Sequence, residues 1–485
     1  MRKTSETNEY LTTNPPPGPW KLPLVGNIHQ VSGHLIHHRF TDLAKKYGPV
    51  MQILLGEVRF VVISSRETAK EVMKTNEDIF VDRPDGVIPR IVFYNGKAIS
   101  FTPYGEYWKQ LRKICSSKLL SPQCVRSLRS TMEEKVSDFV TLISSKEGSP
   151  INLSKMLFTL TFGLISRVIL GKRGKNQALL SSIEEWKQGG AGFDVADIFP
   201  SFKLFHSLRW ARSKFVRQHE EIGEMLETII NERRASKIRT KTSEHEIEED
   251  FLDVLVNMQH SGNLEFTNDN IKAILLEFFL AGSDSSSAVM EWALSEMLKN
   301  PGHMKRAQKE VRVVFTKMGN DDEARLHELK YLQLIIKETT RLHPPAPLIL
   351  RACREGCKIN GHDIPERCNV MINAWAIGRD PTYWNEAEKF NPERFLDSSI
   401  DYMGNNFEFI PFGAGKRKCP GMSFGLAIVE MALAKLLYHF DWKLCDGVKN
   451  EDLDMTEDTA LGSTVKRKHE LYLIPIPYHP SSPAK

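Results

Sequence analysis

The residue types best suited to chemistry gather in one short stretch, Phe412-Gly413-Ala414-Gly415-Lys416-Arg417-Lys418-Cys419-Pro420-Gly421. Leu426, Val429, Leu433, Leu436 and Leu437 follow at helical spacing and predict a buried helix from Met422 to about Phe440. Pro420 suits the first helical position, where a missing N–H costs nothing. Cys419 then precedes a helix N-terminus, whose dipole and unpaired N–H groups favour thiolate over thiol. Gly413, Gly415 and Gly421 let backbone approach a flat ligand closely, and Arg417 can pair with an acid on that ligand. The competing reading is a structural cysteine in a helix-entry loop.

Three further groups carry chemistry. Trp108 and Arg112 stand four apart on one helix face, where an indole N–H and a guanidinium can donate to one carboxylate. A cation–π pair is the plainer alternative. Ala281-Gly282-Ser283-Asp284-Ser285-Ser286-Ser287 places polar residues inside a long apolar segment, and on propensity alone it reads as a loop between two helices. Glu338 and Arg341 are three apart and can pair on one helix face. Cys353, Cys357 and Cys368 hint at zinc, but no second close pair completes a site.

These groups need elements to hold them. Val50 to Leu55 and Phe60 to Ile63, broken at Gly56, predict a β-hairpin. The stretch from Phe80 to about Thr102, with Arg83-Pro84 and Val87 to Tyr94, is a loop whose apolar residues either meet an apolar ligand or form a packed strand. Tyr104-Gly105-Glu106 opens the helix of Trp108. Ser127 to Ile238 is mainly helical, with breaks at 148–150, Gly189-Gly190 and Pro200. Phe193 to Trp210 is rich in aromatics. Asn268 to Asn300 is one long helical pattern closed by Pro301, and His343 to Arg351 leaves a helix extended. Ile359 to Ile372 is turn-rich and strand-like, and Thr459 to Ser463 is a small apolar loop.

The pattern Phe-x-x-Gly-x-Arg-x-Cys-x-Gly, met at Phe412, Gly415, Arg417, Cys419 and Gly421, resembles the haem-binding signature of the cytochrome P450 family. The resemblance implies a mainly α fold with a small β portion, a long central helix and a cysteine-ligated haem b. Cys419 would be the axial thiolate of the iron, which favours O–O cleavage. Trp-x-x-x-Arg at Trp108 and Arg112 resembles the family's haem-propionate clamp, and Arg351 is the further propionate candidate. Ala281 to Ser285 resembles the family's oxygen-binding groove, with Asp284 and Ser285 as catalytic residues. Ser285 stands where the family usually has threonine, so the hydroxyl is kept and the methyl lost. Glu338, Arg341 and Arg394 resemble its buried structural triad. The region around Phe193 to Trp210 would roof the substrate cavity.

The implied reaction inserts one atom of dioxygen into an apolar substrate, with electrons from NADPH through a partner reductase. Lys109, Lys113, Lys416 and Lys418 would steer that partner. Wording such as Pro103 to Trp108 and Asn373 to Pro381 is similar to plant microsomal members that oxidise terpenoids or alkaloids. The alternatives are a haem-thiolate enzyme that rearranges, couples rings or dehydrates without net oxygen insertion, and a haem carrier or gas sensor.

Composition agrees with a globular enzyme. The chain has 485 residues, 41% hydrophobic and 26% charged, and a net charge of only +4, which gives no argument for nucleic acid. Seven scattered cysteines fit a reducing compartment. Residues 1–14 read as a polar tail, Pro15 to Pro19 as a proline-rich hinge, and 20–485 as a single catalytic domain, expected to be a monomer. No run of eighteen apolar residues occurs, and none is expected to cross a membrane. The resemblance implies the cytosolic face of the endoplasmic reticulum membrane for the native protein. The anchor's absence then suggests a trimmed form, a soluble variant or an incomplete gene model.

Overall fold

The structure is a computed structural model that describes residues 14–32, 35–171, 177–189, 195–202, 209–240, 250–260, 266–316, 322–445, 447–460 and 464–479. Its labelled elements begin with helix α1 (Ile36–Tyr47), strands β1 (Val50–Leu55) and β2 (Val58–Ile63), and helices α2 (Val87–Val92) and α3 (Glu106–Cys115). Long helices follow: α4 (Leu153–Leu170), α5 (Gln177–Gly189), α6 (Arg209–Thr240), α7 (Asn268–Lys299) and α8 (Lys330–Leu342). Strands β3 (Leu348–Ala352) and β4 (Asn369–Asn373), the short helix α9 (Ala374–Ile377) and helix α10 (Met422–His439) come next. Four strands close the chain: β5 (Phe440–Leu444), β6 (Glu457–Ala460), β7 (Thr464–Arg467) and β8 (Tyr472–Pro477).

The expected hairpin forms: β1 and β2 pair antiparallel with Leu55 opposite Val58, so Gly56 and Glu57 make a two-residue turn. Gly56 has φ +59°, and a Cβ there would lie 2.3 Å from the Ile198 carbonyl oxygen, so glycine is required twice over. β2 then pairs parallel with β4, and β3 pairs antiparallel with β4, giving a four-stranded sheet in the order β1-β2-β4-β3. Both faces are covered, which is why β1 and β2 read as near-continuous apolar runs. The strand-like stretch from Ile359 resolves into the hairpin Cys357–Ile359 and His362–Ile364 and then β4, with Asn360 and Gly361 both at positive φ in its turn.

Two expectations are corrected. Residues 87–92 form a helix, not a loop or strand: Val92 is buried in the main core, and Ile88 and Ile91 pack against it. Three helices, α4, α7 and α10, are also apolar enough over an 18-residue window to cross a membrane, although no unbroken apolar run of that length exists. Their apolar composition serves the protein's own core, since half or more of each window is buried inside the fold.

Helix α7 runs through that core for about 48 Å at 1.5 Å per residue. Asn270 accepts from the Thr267 N–H at 2.9 Å and opens it; Pro301 begins the next helix. The serine-rich middle does not break it. Ser285 and Ser287 turn their hydroxyls back onto the carbonyls of Ala281 and Ser283, at 2.7 and 2.8 Å. Thr161 on α4 donates to the Ser283 carbonyl at 3.1 Å, and a Cβ on Gly282 would meet Ile165 at 2.5 Å. Close packing of α4 on Gly282 therefore outweighs weak helix propensity.

Candidate active site

The loop before α10 is folded by its glycines. Gly413 and Gly415 take φ +69° and +67°, and a Cβ on Gly415 would sit 2.2 Å from the Met73 carbonyl oxygen. The turn they make brings the Cys419 N–H to the Phe412 carbonyl at 2.9 Å, pinning both ends of the loop. The Phe412 ring lies edge-on to Tyr402. Helix α10 starts at Met422 as the sequence suggested, with Gly421 as its cap, so Pro420 lies outside the helix rather than at its first position. Cys419 is exposed, yet its thiol is close enough to protein on several sides for burial to dominate its titration. Burial raises the thiol's pKa, against the Gly421 N–H and the charges of Arg112 and Lys418, which lower it.

Four arginines converge on this loop: Arg83, Arg112, Arg351 and Arg417. Arg112 donates to the Lys418 carbonyl at 2.7 Å. Arg417 donates to the carbonyls of Val81 (2.8 Å), Ile99 (3.0 Å) and Thr102 (2.7 Å) and stacks over the Trp108 ring. Arg83 donates to the carbonyls of Ser100 and Leu350, and Arg351 to that of Leu350 at 2.9 Å. Among the described residues none of the four has a carboxylate within hydrogen-bonding distance; Asp82 comes within 3.9 Å of Arg417. Burial, then mutual repulsion, lowers Arg83 to about 9 and pushes Arg351 down. Burial likewise lowers Arg417 to about 10 and pushes Arg112 down. The nearest buried acid, Glu277, is committed to the N–H groups of Ile99 and Ser100, both at 2.7 Å. Buried cations held apart from carboxylates suit an anionic ligand with more than one acid group.

The sequence-based roles change in detail. The Trp108 indole donates to the Ile99 carbonyl at 3.1 Å, so its N–H is spent on backbone rather than left for an acid. Arg417 spends three N–H groups on carbonyls, so its first task is to tie the cysteine loop to residues 81–102. Arg112 keeps donors unspent, and Arg83 joins it as a residue the sequence reading missed. Nothing in an Arg-Pro pair announces a site; only the fold brings it beside Arg351, 268 positions on.

Above the loop, α7 contributes Asp284 and Ser285. A Cβ on Gly425 of α10 would stand 3.5 Å from the Ser286 hydroxyl, which places the serine stretch beside the start of α10. Asp284 is ion-paired with Lys187 of α5, and both side chains are largely buried. Lys187 was the second missed residue, 97 positions from its partner. The triad is found as expected: Arg341 meets Glu338 at 2.7 and 2.8 Å, and Arg394 meets it at 2.9 Å. Lys416 and Lys109 are paired with Asp78 and Glu106. Leu461 to Ser463, and residues 193–194 and 203–208 of the Phe193 to Trp210 stretch, lie outside the described residues.

A cytochrome P450 family model matches residues 15–471. The chain belongs to the cytochrome P450 family. It is 51% identical to cytochrome P450 726A27 of Euphorbia lathyris, over 96% of this chain and 92% of that protein. It is 47% identical to premnaspirodiene oxygenase of Hyoscyamus muticus (99% and 96%) and 45% identical to tabersonine 16-hydroxylase 1 of Catharanthus roseus (100% and 96%). The chain is thus a P450 monooxygenase, an oxidoreductase of a family that uses haem iron and dioxygen. The residues present fit that group: an accessible thiol, a loop folded tightly by its glycines, and guanidiniums without carboxylate partners, suited to its two carboxylates.

Proposed function

We propose that this P450 oxidises an apolar plant specialised metabolite, a terpenoid or an alkaloid, at the cytosolic face of the endoplasmic reticulum membrane. Residues from 20 onward act as one catalytic domain, and electrons come from NADPH through a partner reductase. The relatives' names, premnaspirodiene oxygenase and tabersonine 16-hydroxylase 1 among them, support the substrate class. The observation that carries the site is the cluster of four arginines, Arg351 and Arg417 buried and Arg83 and Arg112 half-buried, beside the accessible Cys419 thiol.

In this reading Cys419 would hold the iron as a thiolate, and a metal there would favour loss of the thiol proton against the burial that opposes it. Arg112, Arg83 and Arg351 bind the propionates, while Trp108 and Arg417 keep the clamp and the cysteine loop in register. Phe412 and Gly415 shape the loop against the ring. The haem supplies transfer of one oxygen atom from dioxygen to carbon. Asp284, held by Lys187, takes protons from the α5 side when that pair opens. The Ser285 hydroxyl donates to Ala281 but keeps its lone pairs, so it can hold an ordered water that passes protons on. Incubation with reductase, NADPH and a terpene and alkaloid panel, read by mass spectrometry, tests the function. Products heavier than substrate by one oxygen are expected. Isomerised or dehydrated products alone would replace oxygenation with rearrangement.

A further inference from the structure

Away from the haem site, the N-terminal helix and the C-terminal hairpin meet in a cluster of nitrogen and oxygen ligands. His37 and His38 on α1 both direct Nε2 at Oε2 of Glu457 on β6, at 3.0 and 2.8 Å. The three ligand atoms lie within 4.8 Å of one another. We propose that His37, His38 and Glu457 form a site for one divalent transition-metal ion, with zinc the best match.

Two imidazoles and a carboxylate are a borderline donor set of the kind zinc takes, with a fourth position left open. Bonds of about 2.0–2.1 Å imply a tetrahedral edge of roughly 3.3 Å, so the two N···O separations need to open by only a few tenths of an ångström. The access route is on the His38 side: its side chain is 41% exposed, against 2% for His37 and 6% for Glu457.

The surroundings orient the donors as outer-shell groups do around metals. Trp375 Nε1 (3.3 Å) and His343 Nδ1 (3.4 Å) hold the other carboxylate oxygen, leaving Oε2 for the ion. His343 Nε2 reaches Glu296 at 2.8 Å, and its ring stacks on Trp292 at 3.9 Å. The backbone of α1 is fixed there by Asn373, whose Nδ2 donates to the His37 carbonyl at 2.9 Å. Glu296 and Glu457 supply negative charge. Arg379, stacked on Trp375 and bonded to Glu388, is the cation facing the cluster.

Entry of the ion requires that each imidazole carry its proton on Nδ1 and present a bare Nε2. Such an ion would tie α1 to β6 across 420 positions of sequence. The zinc hint in Cys353, Cys357 and Cys368 has no counterpart, since among the described residues these thiols form no such three-ligand group.

The test uses the haem-loaded full chain, stripped with chelator and titrated with zinc chloride by calorimetry and by thermal melting. One equivalent should bind saturably and raise the melting temperature. His38→Ala removes an exposed ligand without touching the core and should weaken that uptake at least tenfold. His469→Ala, an exposed histidine elsewhere, should leave it unchanged, as should zinc the haem spectrum. Absence of saturable uptake, or uptake equal in His38→Ala and wild type, would overturn the site and leave a hydrogen-bonded clasp.

Discussion

Two groups of arginines differ in how their charge is met. In the triad, all five N–H groups of Arg341 have partners: two on Glu338, and the others on the carbonyls of Gly378, Ala387 and Lys389. Glu338 also accepts from Asn391 N–H and from Arg394. In the cluster of Arg83, Arg112, Arg351 and Arg417, carbonyls take some donors and, among the described residues, no carboxylate is in hydrogen-bond contact. A closed network spends its charge on holding the fold. An open one keeps charge for a ligand and carries the cost of repulsion until the ligand arrives. Partner inventories separate the two.

The largest effect should come from breaking the closed network. Arg341→Ala strands a buried carboxylate and is expected to cost about 3–5 kcal/mol, seen as loss of soluble protein or a collapsed melting transition. Arg83→Ala together with Arg351→Ala should do the reverse. Folding should survive because repulsion is relieved, while haem is lost on dilution severalfold faster than from wild type. Equal haem retention with lower stability would place these two arginines with the triad.

Smaller effects probe the distal side and the pH response. Ser285→Ala should bind haem and substrate normally but release more peroxide, so product per NADPH falls severalfold. Ser285→Thr should keep activity. Equal product-to-NADPH ratios in wild type and Ser285→Ala would reduce the hydroxyl to its bond with Ala281. The cluster around Glu457 predicts acid sensitivity. His37 has a lowered pKa in the fold, so the unfolded chain takes the proton first, and stability falls as pH drops below about 6.5. Glu457, held ionised, adds a loss of the same sign at lower pH. His37→Asn should flatten the melting temperature between pH 7.5 and 5.5. Charge reversal at Lys416 and Lys109 should be smallest, since each is already paired with an acid; weaker reductase coupling, read by titration at low salt, is the expected sign.

Much of this was legible in sequence, for physical reasons that differ by element. The β1–β2 hairpin followed from apolar runs around a glycine that must have positive φ. The cysteine loop followed from glycines, arginine and thiol at fixed local spacing. The triad followed from Glu338 and Arg341 one helical turn apart and the family likeness at Arg394. What escaped depends on contacts between distant segments. Arg83 meets Arg351 and Lys187 meets Asp284 only after folding, and no local spacing encodes either. The indole of Trp108 was read as a ligand donor because it shares a helix face with Arg112; its bond to the carbonyl of Ile99, nine residues back, was not legible in that spacing. The unbroken α7 contradicts serine and glycine propensity because α4 packs so closely on Gly282.

The central claim is that the open arginine cluster serves a haem whose iron is held by Cys419. The most direct measurement is the reduced carbon monoxide difference spectrum of wild type and Cys419→Ala, recorded with haem content determined separately. The red-shifted thiolate Soret band should be present in wild type and gone from the variant, even where the arginine cluster still retains haem. Persistence of that band in Cys419→Ala would place the axial ligand elsewhere and contradict the account.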